Sequence, residues 1–277
     1  MRNNQDRLGG TPVMHPPVAA ATQAAPLSYV TPTEFVELPS KGKFYPPGHP
    51  LHGEETIEIK FMTAKDEDIL SSETLLKKGL AIQRLLESII LDNRIRPEDL
   101  LLGDRNAIMI AARISSYGAM YDSSVTCPEC MNNVSYTFDL RKKTLNNFCF
   151  DNSLLEESNI NFSEDLGTFT IKLPKTEADV EVSLITGRDD VELTQEQKDS
   201  PITSLLAKIV KSVSGNYDQN AITSFINSMP AGDSRYLRNT YSSLVPNISL
   251  EQEFYCSACA RSQDMEVPLT AEFFWPG

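Results

Sequence analysis

Histidine is nearly missing from this chain. Its three copies, His15, His49 and His52, fall within the first 52 residues, which leaves 225 residues without one. A Ser–His–Asp or Cys–His device, or a histidine-ligated catalytic metal, would have to borrow from that N-terminal region, so conventional hydrolase chemistry is disfavoured. Positive charge is also short, with 25 Lys+Arg against 38 Asp+Glu and a net charge of −13. From Gly53 onward the balance is −14, because the first 52 residues hold four basic and three acidic side chains. Tracking a phosphate backbone needs clustered Lys and Arg, and no Arg-rich or aromatic-interleaved face surrounds either Cys-x-x-Cys pair, so nucleic acid is not an expected partner. No apolar run approaches the ~20 residues of a membrane helix, and the N-terminus lacks the apolar core of a signal peptide. A reducing cytosolic setting is the expectation.

What is present is ordinary globular material, 277 residues with 40% hydrophobic and 23% charged side chains, enough for about two domains by length. Residues 1–33 read as a disordered Ala/Pro-rich arm. Between Thr11 and Pro32 there are five prolines, five alanines and no charged residue, too little apolar area to offset ordering. Residues 34–53 mix Phe35, Phe44 and Tyr45 with turn formers such as Gly42 and Gly48, and read as an extended anchoring segment.

An internal repeat organises the rest. Glu58 to Leu70 recurs as Glu181 to Leu193, each a strand followed by a threonine (Thr63, Thr186) at a helix N-cap and acids in the first turn. Capping and the helix dipole account for Asp66 and Asp189, with no catalytic role needed. Asp104 precedes Cys127 by 23 residues, and Asp233 precedes Cys256 by the same 23. The spacing predicts an α+β fold built as a pseudo-twofold duplication, with halves at 54–140 and 168–277 and a connector at 141–167. Apolar periodicity predicts one helix over Ser72–Leu91, a short helical turn from Pro97 ending near Gly103, and helices around 108–114, 221–229 and 235–244. It also predicts a helix after Pro201 that includes Val210 and Val213, and a hairpin over 168–185.

Cys127-Pro-Glu-Cys130 and Cys256-Ser-Ala-Cys259, each followed by a strand, have the spacing by which zinc ribbons supply four thiolates to a tetrahedral ion. Duplication would explain their wide separation, each half lending one knuckle to a single Zn2+ between them. A thioredoxin-like pair would open a helix rather than a strand, disulfides are disfavoured in a reducing compartment, and nothing else hints at an iron–sulfur cluster. Four thiolates leave no open position on the metal, so the expected role is structural and the chain is not expected to be an enzyme. Cys149, between Phe148 and Phe150, reads as a core residue. The chain ends Phe273-Phe274-Trp275-Pro276-Gly277, either a lid over the core or an anchor for a neighbour.

Taken in order, Leu38-Pro39-Ser40-Lys41-Gly42 with Tyr45, Met62 to Glu67, Gly103-Asp104-Arg105-Asn106, Thr126-Cys127-Pro128 with Cys130, and the terminal aromatics resemble the baseplate hub family of T-even-type contractile-tailed phages. The resemblance covers residue 35 to the end. It implies a non-enzymatic tail protein that forms the central hub or helps assemble it. Its partners would be other hub and tail proteins, met in the infected cytoplasm during assembly, with the baseplate of the virion tail as the second expected location. Phe44, Tyr45, Phe273, Phe274 and Trp275 are the candidate partner contacts. A zinc-ribbon regulator that touches nucleic acid or the transcription machinery is the alternative, and it would need a basic patch hidden in the linear sequence.

Overall fold

The structure, a computed structural model, describes residues 30–146, 148–196, 200–268 and 271–274. Thr31 to Gly277 group into one compact unit. Its first elements are β1 (Thr33–Glu37) and β2 (Thr56–Lys60), an antiparallel pair, followed by α1 (Ala64–Ser71), α2 (Glu73–Lys77) and α3 (Ala81–Ile89). A 3-10 turn at Pro97–Asp99 leads into α4 (Leu102–Tyr117) and the hairpin of β3 (Met120–Thr126) and β4 (Asn133–Asp139). Then come β5 (Thr144–Leu145), α5 (Asn152–Glu157), β6 (Ile160–Ser163), β7 (Thr168–Lys172), β8 (Asp179–Ser183), α6 (Gly187–Glu196), α7 (Pro201–Ile209) and β9 (Val210–Val213). The chain closes with α8 (Gln219–Ser228), α9 (Ala231–Leu244), β10 (Ile248–Ser249), a second hairpin of β11 (Glu251–Tyr255) and β12 (Ser262–Glu266), and a 3-10 turn at Ala271–Phe274. Strands β6-β7-β8-β9 form a four-stranded antiparallel sheet, and β10 pairs with β5.

Both capping threonines stand where expected. The Thr63 N–H and hydroxyl donate to Asp66 at 2.8 and 2.7 Å, and those of Thr186 donate to Asp189 at 3.0 and 2.7 Å. Asp66 is fully buried; burial pushes its carboxyl up, but the Ser88 hydroxyl and the Thr63 donors outweigh this and hold it below its ordinary value.

Three local expectations are corrected. The helix predicted over Ser72–Leu91 is broken at Gly79, which takes φ +68°. Gly79 N–H donates to the Leu76 carbonyl and Leu80 N–H to that of Leu75, a Schellman stop that ends α2. Gly103 does not end a turn but sits in the first turn of α4, where a Cβ would come within 1.9 Å of the Pro246 carbonyl oxygen. Val210 to Val213 leave the helix and pair with β8, where two β-branched side chains fit the pleat.

One continuous apolar core runs through both parts of the chain, from Ile59, Leu85, Leu86, Ile89 and Ile108 to Phe169, Val182, Ile209, Leu237 and Phe254. The parts are also joined through backbone: Leu102 N–H donates to Ile185 O, and Gly187 N–H to Leu100 O. Within residues 141–167, β6 pairs with β7 and β5 pairs with β10.

Candidate metal centre

Each cysteine pair occupies the turn of a hairpin, and the two turns have the same backbone. Cys127 N–H donates to Asn132 O, and Met131 N–H to Cys127 O; Cys256 N–H donates to Arg261 O, and Ala260 N–H to Cys256 O. Met131 and Ala260 both take left-handed φ, +60° and +56°. This turn lets two thiols one knuckle apart point the same way, which explains the strand-flanked spacing.

The hairpins are held side by side. The Gln252 amide donates to Asp139 O and its oxygen accepts from Asp139 N–H, an amide side chain pairing with backbone as a strand would. Tyr136 donates its hydroxyl to Glu253 O, while its ring meets Phe138 and Phe254 edge-on at 4.9 and 5.0 Å. At the exposed rim Arg261 pairs with Glu129 at 3.0 Å, a contact worth little by itself.

This arrangement brings all four predicted ligands together. The four Sγ atoms lie within 4.8 Å of one another. Cys127 and Cys259 sulfurs are 3.9 Å apart, and those of Cys130 and Cys256 are 3.8 Å apart. Four thiolates at the Zn–S distance of about 2.3 Å in a tetrahedron stand about 3.8 Å from each other, whereas a disulfide needs about 2.05 Å. Two of the sulfur pairs match that figure, and all four sulfurs are close enough to share one metal ion. Cys127 and Cys256 are buried, while Cys130 and Cys259 are half-buried. Burial works against a thiolate at Cys256, yet the N–H groups of Cys259 and Ala258 and the neighbouring sulfurs bring its thiol down. At Cys259 the Arg261 N–H favours the thiolate, but burial and the neighbouring sulfurs push the thiol up, so the cluster sheds its protons as a coupled set. Cys149 takes no part: it is buried in the core, and desolvation pushes its thiol up to about 12.

The aromatic candidates lie elsewhere. Phe44 is buried against Phe150, Phe162 and Phe169 at ring distances of 5.7, 5.2 and 5.5 Å. Tyr45 is buried, with its ring on His49 and its hydroxyl donating to Asp104 at 2.7 Å and accepting from Leu101 N–H at 3.2 Å. Phe273 and Phe274 are buried too, Phe273 meeting Tyr121 edge-on at 5.4 Å. In this conformation those four side chains pack the interior; Trp275 lies outside the described residues.

Two features escape the sequence patterns. Asp104 accepts from Ser40 N–H and hydroxyl at 2.9 and 2.6 Å as well as from Tyr45. Its spacing from Cys127 and the Gly103-Asp104-Arg105-Asn106 motif mark the residue but not its partners, which lie about sixty residues away. Arg113 is 1% exposed and donates to the carbonyls of Phe273 at 2.6 Å and Gly118 at 2.8 Å, pinning the C-terminal turn. No motif marks it.

The family model described as T4 bacteriophage base plate protein matches residues 31–275, a span that includes both cysteine pairs. No curated protein and no solved structure is similar enough to match. Among the described residues, no helix is long and apolar enough to cross a membrane. A base plate protein has its place in the phage tail, among other tail proteins. The match spans nearly the entire chain, and this chain belongs to the T4 bacteriophage base plate protein family.

Proposed function

We propose that the chain is a non-enzymatic protein of the baseplate central hub, either part of it or a factor in its assembly, and that its four cysteines hold one structural Zn2+. The observation that carries the reading is the family match over residues 31–275, joined to the order of the motifs named above. The sulfur spacing of 3.8 and 3.9 Å supports zinc, and four thiolates would leave the metal no position for substrate.

The interior supports a structural role. Asp66, Asp104, Asp233 and Glu181 each accept hydrogen bonds from hydroxyl or backbone donors that fix a turn or a strand. The surface cavity of about 350 Å³ beside α3 and α6 has its charged walls engaged: Gln83 bonds Glu98, Arg188 pairs with Asp99, and Arg105 pairs with Asp190. Groups so engaged are not poised as a general acid and base.

We also read the chain as an internal duplication. In its support, Asp104 in the first turn of α4 clamps the β1–β2 connection at Ser40, and Asp233 in the first turn of α9 clamps the β7–β8 turn at Lys175 and Thr176. Matching caps open α1 and α6, and matching knuckles close the two hairpins.

Quantitative mass spectrometry of purified tails and of baseplate intermediates from infected lysates tests the function. A fixed ratio to other tail proteins in finished tails makes the chain a structural component; presence in intermediates alone makes it an assembly factor. Absence from both overturns the reading.

A further inference from the structure

The segment Ser40-Lys41-Gly42-Lys43 is a tightly built loop whose two lysine ammonium groups, among the described residues, form no ion pair. Ser40 is tied to Asp104 by two hydrogen bonds, Gly42 N–H donates to the Ser40 hydroxyl, Lys43 N–H donates to Ser40 O, and Gly53 N–H donates to Gly42 O. Gly42 could carry no side chain: a Cβ there would lie 2.4 to 2.6 Å from backbone atoms of Leu51 and Glu54. Lys41 and Gly42 both take left-handed φ, +49° and +68°, a conformation that lysine rarely adopts. The loop is thus tightly fixed, and Lys41 holds its left-handed backbone with its N–H on the Leu38 carbonyl at 2.9 Å.

Both lysines are exposed, and both ammonium groups stand over one ring, with Lys41 Nζ 4.8 Å and Lys43 Nζ 5.5 Å from the centroid of half-buried Phe150. Among the described residues neither ammonium has a carboxylate partner, although 38 acids are present in the chain and Glu54 and Glu55 flank the loop's base. An ammonium over an aromatic face keeps its N–H donors available on the far side. Two such groups on one preorganised platform make a small basic spot on an otherwise acidic protein.

We infer that Lys41, Lys43 and Phe150 form a docking site for an acidic segment of a partner protein, its carboxylates meeting the two ammonium groups above the ring. Charge complementarity selects this occupant. A nucleic acid would need a track of cations, and the chain as a whole carries −13. A short acidic peptide needs only the two. Preorganisation of the loop lowers the ordering cost of binding, and rim charges of this kind chiefly set encounter rate and register. The inference goes beyond the tail role and does not depend on it.

Fluorescence anisotropy of labelled hexaglutamate with the full chain at low ionic strength tests it, beside an oligothymidylate of equal charge. Saturable hexaglutamate binding is expected, weakened about tenfold in the K41Q/K43Q double variant while its thermal midpoint stays unchanged. Because the protein as a whole repels a polyanion, any general electrostatic attraction is already suppressed. No saturable binding, or equal binding by the double variant, overturns the proposal. Tighter binding of the oligothymidylate also overturns it and assigns the spot to nucleic acid. Tail composition does not enter this assay, so its failure and that of the hub reading are separable.

Discussion

Asp104 accepts three hydrogen bonds, two from Ser40 and one from Tyr45, whereas Asp233 accepts two from the backbone N–H groups of Lys175 and Thr176. Both are fully buried by side-chain exposure, yet they titrate in opposite directions. Burial raises the Asp104 carboxyl above its ordinary value despite the Ser40 and Tyr45 donors. At Asp233 burial also raises, but the N–H groups of Thr176 and Lys175 win and the carboxyl is held down. The contribution of Asp233 to stability is therefore full above the ordinary carboxyl range and is lost as pH falls through its folded value. That of Asp104 is full at acid pH, below the unfolded value, and is lost as pH rises through its folded value. Urea unfolding across a pH series should show D233N costing most near about pH 7, and D104N costing more near about pH 4 than at neutrality. Parallel trends in the two variants would contradict this assignment. Gly103→Ala offers a second residue-scale test. In an ordinary helix the change would stabilise by up to about 1 kcal/mol, but a Cβ placed 1.9 Å from Pro246 O must push α4 off its neighbour. A loss of about 2 to 3 kcal/mol in thermal or urea unfolding is expected.

At the scale of elements, the C-terminal turn at Ala271–Phe274 packs its Phe273 and Phe274 side chains against the core. Phe273 and Phe274 are 4% and 5% exposed, and Arg113 holds the Phe273 carbonyl. Phe273→Ala should cost about 3 kcal/mol of folding stability, read by urea unfolding; an unchanged midpoint would mean the turn is not packed as described. The same scale shows what could be read from the chain. Thr63-x-x-Asp66 and Thr186-x-x-Asp189 were legible because a cap is local, with both partners inside one turn. The cysteine knuckles were legible for the same reason, since a Cys-x-x-Cys turn dictates its own geometry. The break at Gly79 was not, because the apolar period of α2 and α3 continues across it while one left-handed glycine stops the hydrogen-bond ladder. Val210 to Val213 were misplaced because a short apolar run fits helix and buried strand alike, and β8 supplied the deciding partner. The Ser40–Tyr45–Asp104 cluster joins side chains 59 and 64 residues apart, a distance over which periodicity carries no information.

For the whole molecule, the cysteine cluster ties β3–β4 to β11–β12 across 126 residues of chain, and the apolar core runs beneath both hairpins. A metal there would close a very long loop and would add folding energy on the order of 10 kcal/mol, as structural zinc does in small peptides. We propose that one tetrahedral metal ion joins these two hairpins. Native mass spectrometry with elemental analysis of the purified full chain, before and after treatment with a strong chelator, tests it directly. One zinc per chain is expected, with near-ultraviolet circular dichroism lost on chelation and the same loss in C127S and C256S variants. A metal-free chain that keeps its tertiary signal in chelator, or one whose cysteines are joined as disulfides, would contradict it.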